Sequence, residues 1–403
     1  MDTLKKALVF YLYSNNNAGD MAICMGAIDL LKAAGFNVTF VSRFAESDHE
    51  YSESVSYVHS YHPDVRIEPG VLAINRDGGF VSKLLSYAYG AWKTASPAKD
   101  KRFEWLIREA DVVFFNGGNL LRCASFIDAS RLHALFYPVR MAQRMGKRVI
   151  CLPQSTAESS SSGKRLLRKK LSSFSDVFIR ESESLRRMQA DYPDVVFRRS
   201  IDLAFFIQKR GELSEDFKRL LRGRIAITVR GTGIGDIGRL SNDRISDMLD
   251  GLRHFMLNRP DSSFVIVVQT KKDRELSENL LASLDETVEV LLVEEHDPLK
   301  LISIYSLCAS LVTMRLHAGI LAIRAGIPVV GLFDEAWGLK NKGFTIDFGM
   351  GYTTDPDCLE SEYDLQIAHF DFEVSKAIVS EYERQLLDEL PRQAIVPEER
   401  DSA

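Results

Sequence analysis

The run Thr313-Met314-Arg315-Leu316-His317-Ala318-Gly319-Ile320-Leu321-Ala322-Ile323-Arg324-Ala325-Gly326-Ile327-Pro328 decides the fold. Residues 310–313 form a short apolar strand, 318–325 a helix that ends near Gly326-Ile327-Pro328, and 328–331 the next strand. Upstream the same alternation recurs, with strands at 225–229, 263–268 and 288–293 and helices at 243–257 and 298–307. These strands are apolar throughout rather than alternating, the mark of sheets covered on both faces.

A first series precedes this one. Residues 7–13 form an apolar strand, 14–20 a polar turn, 21–34 a helix with Gly35 as its C-cap, and 38–41 a strand. That order is a βαβ unit, the building block of a parallel sheet. Further strands are expected at 111–115, 148–152 and 177–179, with helices at 130–145 and 163–174. Residues 47–100 follow no clear period, and an acidic helix closes the chain at 363–390. The expected architecture is α/β: two doubly wound, Rossmann-like lobes with a cleft between them. Residues 1–206 would form the first lobe, 207–355 the second, and 356–403 a helical segment packing back on both. Ligands in such sheets sit at the carboxyl ends of the strands.

A chain of 403 residues suits two domains, and 45% hydrophobic with 27% charged residues suits a folded one. A net charge of −5 argues against a general nucleic-acid binder. The five cysteines are scattered without a C-x-x-C pair, which argues against a zinc site or a disulfide framework and fits a reducing, cytoplasmic setting. The apolar start at residues 7–13 is too short to span a membrane and reads as a buried strand.

Chemistry concentrates in the turns after strands. Arg315 and His317 stand two apart, so an extended segment would aim both to one side, just before a helix whose free N–H groups favour an anion. Arg offers a planar fork for phosphate or carboxylate, and His moves protons near neutral pH. The same residues also suit a buried Arg–Asp pair and a core histidine. Asp20 is either a site residue or the N-cap of the helix at 21–34. The glycine-rich Gly231-Thr232-Gly233-Ile234-Gly235 lacks the Lys-Ser/Thr of a phosphate loop and reads as a flexible loop facing a ligand rather than as a nucleotide cradle. Lys164, Arg165, Arg168, Lys169, Lys170, Arg198 and Arg199 would suit an anionic membrane surface, or equally a solvated helix face. Tyr87, Tyr89 and Trp92 serve as sugar-stacking or core aromatics alike, and His133 lies mid-helix.

Several motifs, in order, resemble those of the polysaccharide pyruvyl transferase family. They are Asn15-Asn16-Asn17-Ala18-Gly19-Asp20, Asn116-Gly117-Gly118-Asn119, Pro153-Gln154-Ser155 and Arg180-Glu181-Ser182-Glu183-Ser184. Asp202-Leu203-Ala204-Phe205 follows, and Arg315-Leu316-His317-Ala318 with Gly326-Ile327-Pro328 is the signature itself. Two departures fall in the first half: Thr156-Ala157-Glu158 stands where a Gly-Pro ending is usual, and Asn119 where another glycine often is.

The resemblance implies a GT-B-like fold and transfer of a pyruvyl group from phosphoenolpyruvate. The acceptor would be a sugar of an exopolysaccharide or cell-surface glycan precursor, lipid-linked or free. It places Arg315 and His317 on the active-site Arg-x-His, with Arg230 and Lys340 as further donor-binding cations. Asn17, Gly117, Gly118 and Asn119 fall to substrate binding in the first half. His317 is the expected acid–base group, with Asp20 as an alternative group for an acceptor hydroxyl. No step calls for a metal or a bound cofactor. The rival is a GT-B glycosyltransferase using a nucleotide sugar, in which Asp334-Glu335 would grip a ribose.

Overall fold

The structure is a computed structural model; it describes residues 4–70, 101–231 and 240–393, together with residues 81, 84, 85, 88 and 92. Two parallel sheets organise it. The first holds β1 (Lys5–Leu12), β2 (Phe36–Ser42), β3 (Arg66–Glu68), β4 (Val112–Phe115), β5 (Gly118–Leu121), β6 (Val149–Thr156), β7 (Asp176–Ile179) and β8 (Phe197–Arg199). Their order is β3-β2-β1-β4-β6-β7-β8, with β5 pairing to β6 off this path. The second holds β9 (Ile225–Thr228), β10 (Phe264–Val268), β11 (Val290–Glu294), β12 (Ser310–Thr313), β13 (Val329–Leu332) and β14 (Gly351–Thr353), in the order β11-β10-β9-β12-β13-β14.

Each sheet is a doubly wound Rossmann arrangement whose strand order reverses once, between β1 and β4 in the first and between β9 and β12 in the second. The strands read as fully apolar are buried on both faces: all four residues of β4, β7, β9, β12 and β13 are buried. Helices cover those faces, as the hydrophobic effect requires of a sheet with no polar side.

The seam between the sheets runs along the helix Ala18–Ala33, which follows β1. Only Asp20, Asp29, Lys32 and Ala33 escape full burial on it. A helix apolar all round must be enclosed. It packs on the short turn Leu203–Phe206 of its own half and on the helices Pro298–Tyr305 and Leu316–Ala325 of the other. Tethers cross the seam elsewhere. Tyr57 and Tyr61 donate to the two carboxylate oxygens of Asp297 at 2.7 and 2.5 Å, and Arg199 pairs with Asp347 at 2.5 Å.

Three boundaries differ from the sequence reading. The helix expected at 130–145 is two helices, Phe126–Leu135 and Tyr137–Arg144, because Pro138 starts a new first turn. The closing helix is also two, Leu359–His369 and Phe372–Gln393, parted at Phe370 by an extended backbone. The second of these buries Leu386 and Leu390 and touches helices of both halves. The motif Pro153-Gln154-Ser155 lies inside β6 rather than after it. Among the described residues no helix is long and apolar enough to cross a membrane. Tyr87 and Tyr89 and residues 232–235 of the glycine-rich loop lie outside the described residues, and Trp92 is exposed.

Gly26 shows how tightly the seam is fitted. A Cβ there would stand 1.8 Å from the carbonyl oxygen of Leu203, a backbone atom that cannot swing away. Gly26→Ala should therefore lower stability by about 1–3 kcal/mol through overpacking, although Ala is the better helix former by roughly 1 kcal/mol. Urea unfolding monitored by circular dichroism checks this; a more stable variant would mean that the seam is slack.

Candidate active site

The two points where strand order reverses face each other, and their loops meet. From the first sheet come residues 13–20 after β1 and 116–119 after β4; from the second come 229–231 after β9 and 314–317 after β12. Asn17 forms an isolated antiparallel bridge with Thr270, which follows β10, directly across the seam. Gly19 lies against the His317 ring, where a Cβ would come within 2.3 Å of Nδ1. The helices Ala18–Ala33 and Leu316–Ala325 thus bring their N-termini to one place. Each contributes partial positive charge and free N–H groups, so the crevice favours an anion.

Arg315 and His317 do not point together. Arg315 is the extended N-cap residue and Leu316 already starts the helix, so the two side chains diverge. The Arg315 Nη2 reaches the Asp273 carboxylate and lies 3.4 Å from Thr270 Oγ1. Asp273, 1% exposed, also accepts from the Gly231 amide at 2.8 Å and the Thr270 hydroxyl at 3.1 Å. One buried carboxylate therefore fixes both Arg315 and the turn that carries Arg230. Sequence reading gave no hint of Asp273, because its role depends on β10 lying beside β9.

His317 reaches the other half. Its Nε2 stands 3.7 Å from Asp202 Oδ2, and the ring is 20% exposed. Asp202 also takes Arg180 Nη1 at 2.5 Å and the Ala204 amide at 2.9 Å, and Arg180 donates to Ser155 at 2.6 Å. Burial raises the Asp202 carboxyl, but Arg180, His317 and the Ala204 amide outweigh it and hold the group below the ordinary carboxylate range. His317 thus sits over a carboxylate that stays ionised. Next in the chain, Glu181 is pushed up to about 7 by burial, against the opposing Ser184 amide and Arg180. Its Oε1 has no hydrogen-bond partner. The Arg180-Glu181 element was legible as a motif, but the site function of neither residue was.

The remaining sequence candidates divide. Arg230 and Lys340 line one small cavity of about 60 Å³ with Asn119, Trp337 and Gly338. Among the described residues this lining sets Arg122, Arg187, Arg230 and Lys340 against the carboxylate of Glu158. Arg230 stacks on Trp337 with its guanidinium 4.6 Å from the ring centroid. Arg315 lies outside that lining, and Arg122 and Arg187 were not anticipated. Gly117 and Gly118 are close-approach positions: a Cβ on Gly117 would meet Pro153 O at 2.8 Å, and Gly118 has φ +136. Gly118 also opens β5, so the expected loop is shorter than its motif. Asn116 is structural, accepting from Gly117 N and donating to Tyr11 O.

Asp20 is not the N-cap. Asn17 caps the helix by accepting from Gly19 N at 3.1 Å, and its Nδ2 donates to Asp20 at 3.1 Å. Asp334 is also engaged, accepting from Arg244 at 2.9 Å and from Ala336 N at 2.9 Å. Of the basic groups considered for a membrane, Lys164 pairs with Asp191, Arg168 with Asp194 and Arg198 with Asp176, while Lys170 is buried beside His133. Arg165 and Lys169 remain exposed. Among the described residues no group of three His, Cys, Asp or Glu side chains is placed to hold a metal.

A family model described as polysaccharide pyruvyl transferase matches residues 17–332. No curated protein matches the chain. Among solved structures it resembles the UDP-GlcNAc 2-epimerase of Neisseria meningitidis bound to UDP-GlcNAc, at TM-score 0.57 and 13% identity, over 96% of this chain and 100% of that one. The Methanocaldococcus jannaschii UDP-GlcNAc 2-epimerase gives 0.55 and 10%, over 94% and 99%. LpCGTa in complex with UDP gives 0.57 and 9%, over 97% and 99%. These likenesses establish the GT-B-type fold.

Glu181 gives a pH test of the site's electrostatics. Its folded carboxyl titrates near 7 against an ordinary value of 4.5, so the unfolded chain holds fewer protons between those values. The contribution to stability is present below about pH 4.5 and is lost as pH rises through 7, at about 1.4 kcal/mol per unit of displacement. Glu181→Gln should therefore gain on the wild type as pH rises from 5 to 7.5. Parallel denaturant titrations check it; a constant difference would show an unperturbed Glu181.

Proposed function

The chain belongs to the polysaccharide pyruvyl transferase family, and from that premise we propose that it moves the pyruvyl group of phosphoenolpyruvate onto two hydroxyls of a sugar to form a ketal. The acceptor is a sugar of an exopolysaccharide or cell-surface glycan precursor. The observation that carries this reading is the anion-selective crevice: two helix N-termini, the small cavity bordered by Arg122, Arg187, Arg230 and Lys340, and Arg315 held beside it by Asp273. Phosphoenolpyruvate brings a phosphate and a carboxylate, and two separately anchored cation groups suit two separate anionic ends. The cavity near Arg230 and Lys340 is assigned to the phosphate and the Arg315 side to the carboxylate.

In the reaction, the donor's methylene carbon takes a proton and becomes a methyl group, leaving positive character on the adjacent carbon. One sugar hydroxyl adds to that carbon and loses its proton. The bond from carbon to phosphate oxygen then breaks, and the second hydroxyl closes the ring as its proton leaves with the phosphate. Of the two hydroxyl protons, one replaces the proton given to the methyl group and one departs on phosphate. His317 is the group for these transfers, placed at the meeting of the two halves with its Nε2 3.7 Å from the Asp202 carboxylate. A positioned acid of this kind is worth roughly 10²–10⁴-fold. Asp20, tied to Asn17 at the same rim, serves the acceptor hydroxyl.

The nucleotide-sugar reading draws support from the fold shared with UDP-bound proteins. Against it stands Asp334, whose carboxylate is spent on Arg244 and the Ala336 amide rather than presented to a ribose.

Thermal unfolding with phosphoenolpyruvate, UDP and inorganic phosphate separates the two. Phosphoenolpyruvate at about 100 times its dissociation constant should add roughly 2.7 kcal/mol to the wild type. Arg315→Ala should lose that shift, and His317→Ala should keep it while pyruvyl transfer falls by roughly 10²–10⁴-fold. Stabilisation by UDP alone would overturn the pyruvyl reading.

A further inference from the structure

Beside the cationic cavity lies a larger one of about 490 Å³, which shares Glu158, Arg187, Gly338 and Leu339 with it. Its own walls include Phe333, Glu335, Asn341, Lys342, Tyr352 and Thr354. The two differ in charge. Both share the Arg187–Glu158 pair at 3.1 Å; beyond it the lining of the small cavity adds Arg122, Arg230 and Lys340 and no carboxylate, whereas in the large one Asp334 is spent on Arg244 at 2.9 Å. Lys342 and Glu335, of opposite sign, are the other charged residues of its lining. An anion gains nothing there, and a neutral ligand loses nothing.

The walls combine aromatic faces with scattered hydrogen-bonding groups, the composition that suits a pyranose, whose C–H faces are apolar and whose rim is hydroxyl. Asn341 adds an independent sign. It is 2% exposed and lines the cavity, yet neither its Oδ1 nor its Nδ2 has a hydrogen-bond partner among the described residues. A buried carboxamide left unpaired costs about 1–3 kcal/mol, so its two edges call for a partner that a ligand in the cavity, or ordered water, supplies. A carboxamide offers one donor and one acceptor edge, the complement of two neighbouring hydroxyls.

We propose that this cavity is the acceptor subsite and holds a neutral pyranose of the glycan, with Asn341 engaging its hydroxyls and Tyr352 and Phe333 packing on its ring. The inference rests on the pyruvyl-transfer reading for the word acceptor; the sugar site itself stands on the cavity. It places acceptor binding on the second half and the seam, rather than on the first half alone. Gly338 lines both cavities, and a Cβ there would meet nothing within 4 Å. Its φ of +87 reserves the position for glycine, so this shared wall carries no side chain at that point.

The test is saturation-transfer NMR with methyl glucopyranosides, methyl galactopyranosides and their 2-acetamido analogues. Wild type, Asn341→Leu and Tyr352→Ala are compared, and unfolding temperatures are read with and without phosphoenolpyruvate on the same samples. At least one pyranoside should bind the wild type and lose ten-fold or more in affinity in both variants. Asn341→Leu should unfold at the same or a higher temperature, since it replaces an unpaired amide with an apolar side chain of similar size. Both variants should keep the phosphoenolpyruvate shift. Undiminished sugar binding in the variants, no binding of any pyranoside, or displacement of the sugar by uridine would overturn the assignment. Sugar binding without a phosphoenolpyruvate shift in the wild type would leave this site standing and remove the pyruvyl reading.

Discussion

The contact between Gly19 and His317 is the constraint on which the rest of the molecule depends. Only a residue without a Cβ lets the first turn of the helix Ala18–Ala33 approach the imidazole, and that approach brings the two strand-reversal points face to face. Everything nearby follows from the same closeness. The helix must be apolar on every side because the other half covers the face that a lone Rossmann sheet would leave to water. Gly26 must also lack a side chain, two turns further along the same face. The site is therefore neither on one sheet nor on the other; it exists only while the seam is closed.

Buried carboxylates do the organising at that seam, and cations do the presenting. Asp202 and Asp273 are 3% and 1% exposed, and each gathers several donors at once. A buried charge is tolerated only when it is paired and hydrogen-bonded, and removing one partner of such a pair typically costs about 3–5 kcal/mol. The surface pairs of the helix Ser161–Leu171, such as Arg168 with Asp194, belong to a class worth about 0–1 kcal/mol. Two kinds of ion pair thus coexist: those outside keep basic side chains in solution, and those inside set the bearings of Arg315 and His317.

Much of the fold was legible because it rests on pattern. Apolar runs without alternation gave the parallel strands, and the order of turns gave the doubly wound lobes. Short edge strands were not legible: β3, β8 and β14 are three residues each, too few for a period to register. Of the candidate site, the sequence reading named the chain-local parts, namely Arg315, His317, Arg230, Lys340 and the glycines. The site was illegible where position depends on strand order. Asp273 is an ordinary acidic residue in sequence and joins the candidate site only because β10 lies beside β9; Asp202 was legible as part of a motif, but its place beside His317 was not. The expected common direction of Arg315 and His317 failed for a local reason, since the helix begins at Leu316, two residues earlier than the extended segment required.

The distribution of unpaired polar atoms carries the last step. Buried atoms without a hydrogen-bond partner include Asn15 Oδ1, Asn119 Oδ1, Glu181 Oε1, Arg315 Nε, His317 Nε2 and both carboxamide atoms of Asn341. Each is a cost that folding alone gives no reason to keep, of about 1–3 kcal/mol where no compensation exists. A sequence selected only for stability would exchange them for apolar groups, or give them partners, as it does for Asn116 and Gln154 in the same neighbourhood. Others of the kind, such as Ser54 Oγ, Arg324 Nε and Glu389 Oε2, lie on helices elsewhere, but the six residues named here sit at or near the ends of strands and on the helix Leu339–Phe348. The apolar seam supplies the stability that offsets them. The same helix Ala18–Ala33 that packs the halves together thus lets its own N-terminus remain an unfinished polar surface, completed by whatever binds there.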